Sequence, residues 1–89
     1  MMDEQALASA YVKAGFSIWE LDGGEEIYGF RSGFRRFQVT NASRRNLPVD
    51  WNEPVVLQYL NEKDFTAWRK EFPSSREFFA YWSSEEAQR

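Results

Sequence analysis

Apolar residues follow two spacings along this chain, and the change comes near residue 16. Over residues 3–14, Leu7, Tyr11 and Ala14 fall at i, i+4 and i+7, which predicts a helix with one thin apolar face. Asp3 and Glu4 stand at the positive end of its dipole, and Gly15 is placed to close it. The pattern then becomes that of strands. Residues 16–21 (Phe-Ser-Ile-Trp-Glu-Leu) read as one, followed by the turn signal Asp22-Gly23-Gly24. Residues 26–31 read as a second strand, Ser32-Gly33 as a tight turn, and 34–40 as a third.

The turns also predict faces. A two-residue loop at Ser32-Gly33 puts Phe30 opposite Arg35 and Tyr28 opposite Phe37, so Tyr28, Phe30, Phe37 and Val39 share the core face. A two-residue first turn, at Asp22-Gly23 or Gly23-Gly24, adds Trp19 and Leu21 to that face. Phe16, Ile18, Glu20, Ile27, Arg31, Phe34, Arg36 and Gln38 are left on the other, whose apolar part a helix is expected to cover. Arg35 falls with the core residues, so it must lie at the sheet's edge, reach solvent past Phe30, or pair with an acid.

Residues 41–53, crowded with Asn, Ser, Pro and Asp, read as a loop. Residues 55–60 begin with two valines and favour a fourth strand over a helical turn. Phe65, Trp68 and Phe72 at i, i+3 and i+7 predict a helix over 62–72, capped by Asn61 and ended by Pro73. A last helix is expected at 75–87, since Ser74 and Glu77 have capping-box spacing. The chain thus reads as one α+β domain over residues 1–89. Its fold class is an antiparallel three- to four-stranded meander packed by an N-terminal helix and two C-terminal helices.

Composition narrows the chemistry. Histidine and cysteine are both absent, which removes imidazole acid–base catalysis, the usual nucleophile pairs and the common zinc ligand sets. The glycines fit hairpin turns and neither phosphate-binding spacing. Asp22, Glu25, Glu26, Glu85 and Glu86 read as solvated surface carboxylates. No catalytic residue, metal, cofactor or small-molecule substrate is therefore expected. No apolar run is long enough for a membrane span, and the acidic start Met1-Met2-Asp3-Glu4 is unlike a secretory signal, so the default location is cytoplasmic.

Charge is unevenly spread under the net value of −3. Residues 1–30 hold six acids and one base, whereas residues 31–49 hold five arginines and no acid. Arg31, Phe34, Arg35, Arg36, Arg44 and Arg45 form the first candidate site, for guanidinium forks and exposed rings suit an acidic protein partner. They also suit single-stranded nucleic acid, so the alternative function is a nucleic-acid-binding module using residues 28–45. Internal pairing with the acids of residues 1–30 is the structural reading. The overall acidity ranks a protein partner above nucleic acid. The second candidate is the ring cluster that includes Phe79 and Trp82, either core or a partly exposed patch that docks a partner or a second copy of the chain. The expected function is a small non-enzymatic module that inhibits or modulates a larger protein complex, nucleic-acid-handling machinery included. In its short, acidic, aromatic-rich composition the chain resembles small inhibitors encoded by phages and other mobile elements.

Overall fold

A computed structural model describes residues 4–33, 35–44, 46–60 and 66–86. Their order is α1 (Glu4–Lys13), β1 (Ser17–Glu20), β2 (Glu26–Ser32), β3 (Arg35–Asn41), β4 (Val55–Leu60), β5 (Thr66–Phe72) and α2 (Ser75–Glu86). The five strands form one antiparallel meander in sequence order, flanked by an N-terminal and a C-terminal helix, so the α+β class is observed. No described helix is long and apolar enough to cross a membrane.

The end of α1 shows why Gly15 is needed. Phe16 N–H donates to the Tyr11 carbonyl at 3.0 Å and Gly15 N–H to that of Val12 at 3.0 Å, the two bonds of a Schellman cap. Gly15 takes φ +103°, and a Cβ there would lie 2.9 Å from the Phe30 ring. The cap turns the chain so that Phe16 enters the core directly before β1.

The second hairpin has the expected faces in a different register. Its last pair is Ser32↔Arg35, with Phe30 opposite Phe37 and Tyr28 opposite Val39. The turn lies one residue later than Ser32-Gly33, which moves the pairing by two positions and leaves every side chain on its face. The first hairpin does not behave this way. Glu20 pairs Glu26, Leu21 N–H donates to the Glu25 carbonyl at 2.7 Å, and Asp22-Gly23-Gly24 is a three-residue connection with Gly24 at φ +88°. An odd loop moves the register by one, so Trp19 lies opposite Ile27 on the face away from the core and Ile18 opposite Tyr28. The expected core placement of Trp19 and Leu21 is therefore wrong, and Leu21 is exposed.

The helix expected over 62–72 is also overturned. Residues 66–72 form β5, paired with β4 through Tyr59↔Trp68, Leu57↔Lys70 and Val55↔Phe72. The same sequence carries a period of two, with Trp68, Lys70 and Phe72 on one face and Arg69 and Glu71 on the other. Pairing supplies partners for the second edge of β4, which a helix could not do. The expected cap Asn61 and the first residue of the expected apolar face, Phe65, lie outside the described residues.

Both helices pack on one face. Leu7 and Tyr11 of α1 and Phe78 and Trp82 of α2 join Tyr28, Phe37, Val39, Val55, Leu57 and Phe72 in a single buried cluster. Tyr11 stacks on Tyr28 with centroids 4.1 Å apart, and its hydroxyl shares a 2.8 Å hydrogen bond with that of Ser75, tying α1 to the start of α2. Burial raises the Tyr11 hydroxyl well above its ordinary range, more than the Ser75 bond lowers it. Trp82 Nε1–H reaches the Ala14 carbonyl at 3.4 Å, joining the end of α2 to that of α1. At the start of α2, Ser74 Oγ accepts from Glu77 N–H at 3.3 Å, as the capping spacing requires.

Candidate functional site

With both helices on one side, the other face of the sheet has no helix over it among the described residues. The expected helical cover is therefore absent over Ile27, whereas Ile18 and Phe16, expected beside it, lie on the helix side, Ile18 opposite Tyr28 and Phe16 in the core. The register assembles this face in transverse rows. One runs Trp19, Ile27, Thr40, Val56, Glu71, and the next Ser17, Gly29, Gln38, Gln58, Arg69. A third begins with Arg31, Arg36 and Leu60. The short Ile27, Thr40 and Val56 side chains are buried, while Arg31, Arg69 and Glu71 are exposed and Arg36, Gln38 and Gln58 half-buried.

Two features of this face bear on function. Arg31 and Arg36 are direct cross-strand partners on one side of the sheet. Like charges so placed repel and cost stability, by roughly 0.2–1 kcal/mol on the scale of cross-strand pairs. Arg69 reaches the same face from β5, one row away. Three guanidinium groups from three strands thus share a surface whose described acid is Glu71. Among the described residues, the Arg31, Arg35 and Arg44 side chains form no ion pair, so Glu20, Asp22, Glu25 and Glu26 do not hold them, while Asp3 lies outside the described residues. Trp19 lies over Gly29, closely enough that a Cβ there would be 2.0 Å from its indole. This packing spreads the ring across the edge of the face.

The structure divides the first candidate set. Arg31 and Arg36 come together, and Arg35, opposite Ser32 on the helix side, is exposed at the end of its strand. Arg44 does not join them. It follows β3 at the other end of the sheet, five or more residues from Arg36 and so about 16 Å away along the strand. Its φ of 64° puts it in the left-handed region, in a turn where its N–H donates to the Asn41 carbonyl at 2.9 Å. Phe34 and Arg45 lie outside the described residues.

The second candidate set turns inward. Trp82 is 1% exposed and meets Phe16, Phe30 and Phe37 at 5.0, 5.3 and 5.4 Å between centroids. Phe79 is half-buried between Tyr11 and Trp51. These rings are used in closing the core, and the patch expected to dock a second copy through Trp82 is not on the surface. Sequence reasoning in turn missed Arg69, because it placed residues 62–72 on a helix. The signal that could have found it is the alternation of Trp68, Lys70 and Phe72 with Arg69 and Glu71. The chain matches no protein-family model, no curated protein and no solved structure.

Proposed function

We propose that this protein is a non-enzymatic interaction module that docks the arginine-bearing face of its sheet, over which no described helix packs, onto an acidic surface of a larger protein, modulating or inhibiting it. The observation that carries this reading is the Arg31↔Arg36 pair, two like charges set opposite each other where no helix packs. An anionic group set against these guanidiniums is matched by their forked donors. The surrounding Gln38 amide supplies a donor and an acceptor, and Trp19 supplies an aromatic contact at the margin. A protein occupant is favoured over nucleic acid because the chain as a whole is acidic, with 14 acids against 11 bases. Inhibition of a large complex rests on the resemblance of this short, acidic, aromatic-rich composition to small inhibitors of phages and mobile elements, and fits a module that acts by occupying a partner's surface.

The test compares wild-type protein with the double variant Arg31→Glu/Arg36→Glu in affinity capture from the source cells. One stoichiometric protein should be recovered by the wild type, be lost with the variant, and dissociate more readily as salt rises. Equal recovery by both proteins refutes the assignment of the face. Retention of single-stranded DNA or RNA by the wild type, with a salt slope lowered in the variant, replaces the protein partner with nucleic acid.

A further inference from the structure

The outer edge of β5 points to a second site of association, and this inference does not rest on the reading of the arginine face. β5 is the last strand of the sheet and seven residues long, whereas β1 at the other edge has four. An edge strand offers a row of backbone donors and acceptors, and this one also holds Trp68, a large ring 40% exposed. Arg69, Lys70 and Glu71 beside it are exposed as well. Among the described residues, neither Arg69 nor Glu71 forms an ion pair.

We propose that β5 pairs antiparallel with β5 of a second copy of this chain, centred on Lys70, in a two-fold dimer with one continuous ten-stranded sheet. Symmetry limits the registers sharply. A two-fold axis perpendicular to the sheet must set one residue opposite its own copy, so the centre is Trp68, Arg69, Lys70 or Glu71. Centring on Trp68 sets Arg69 against Ala67 with no charge partner and leaves Glu71 unpaired. Centring on Arg69 opposes arginine to arginine, and centring on Glu71 opposes glutamate to glutamate. Centring on Lys70 places Arg69 against Glu71 of the other copy twice, and Trp68 against Phe72 twice. Both kinds of pair stabilise cross-strand neighbours. Each also falls on its proper face, since Arg69 and Glu71 share the uncovered side and Trp68 and Phe72 the helix side. The cost of the central Lys70 pair is offset within each chain, where the ammonium lies 5.7 Å from the Phe72 ring centroid and 5.6 Å from that of Tyr81. Pro73, which has no N–H, ends the ladder after the five residues Trp68–Phe72. The perpendicular axis sets the two uncovered faces side by side on one surface.

A ladder this short predicts a weak, concentration-dependent dimer. Sedimentation equilibrium of the full chain from about 1 μM to 1 mM should show a reversible monomer–dimer transition. R69E opposes Glu to Glu71 of the other copy and E71R opposes Arg to Arg69, so each alone should weaken association by about tenfold or more. The combined R69E/E71R restores both pairs and should associate as the wild type does. An equimolar mixture of R69E and E71R should form a heterodimer that neither variant forms alone, an outcome that misfolding cannot imitate. A wild type that stays monomeric at every concentration overturns the proposal. So does a dimer that the single variants leave intact, or a mixture that forms no heterodimer.

Discussion

Alanine at position 29 probes how the uncovered face is built. Gly29 lies in β2, opposite Ser17 and Gln38, and its backbone is outside the left-handed region, so alanine is allowed by conformation alone. The obstacle is Trp19, whose ring atoms would lie 2.0 to 2.3 Å from the new methyl group. Carbon atoms rest at about 3.5–4.0 Å, so the indole must shift by roughly 1.5 Å or leave the sheet. If it leaves, a half-buried tryptophan loses about 100 Å² of contact, worth about 2.5 kcal/mol at 25 cal/mol per Å². The alanine itself returns about 0.5–1 kcal/mol by restricting the unfolded chain. Gly29→Ala should thus destabilise by about 1.5–2 kcal/mol in the wild type, yet stabilise by up to about 1 kcal/mol in a Trp19→Ala background. Urea unfolding of the four proteins, followed by far-UV circular dichroism, measures both values and their coupling of roughly 2–3 kcal/mol. Equal effects of Gly29→Ala in the two backgrounds would refute the placement of Trp19 over Gly29, and with it the three-residue first turn.

Arg44→Gly should raise the thermal midpoint by a few degrees, because a left-handed arginine costs about 1–2 kcal/mol and glycine returns less than that to the unfolded state. A fall in midpoint by calorimetry would show that the Arg44 side chain contributes more than its backbone strain. Tyr11→Phe should cost about 1–2 kcal/mol near neutral pH by leaving the buried Ser75 hydroxyl without its partner. Burial raises the Tyr11 pKa, so the stability linked to its protonation is complete below the unfolded value near 10 and declines as pH rises above it. The difference between wild type and Tyr11→Phe should therefore shrink above about pH 10, and a gap that stays constant in urea titrations to that range would contradict the burial of the hydroxyl.

Local chemistry was enough to read the parts whose cause is local. The helix ending at Gly15 and the one beginning after Ser74 are written in capping residues a few positions apart, and both occur. The second hairpin kept its faces because an error of two positions leaves side-chain parity unchanged, so Tyr28, Phe30, Phe37 and Val39 were assigned together. Arg31 and Arg36 were placed on the other face for the same reason. Three matters belonged to the tertiary structure. Asp22-Gly23-Gly24 permits loops of two or three residues, and only the docked sheet chose three, which sent Trp19 to the uncovered face. Residues 66–72 carry helical and strand periods at once, and the unpaired edge of β4 decided between them, bringing Arg69 to the site. Arg44 seemed one cluster with Arg36 in the sequence, yet the length of β3 separates them, since a strand converts a short interval in sequence into a long one in space.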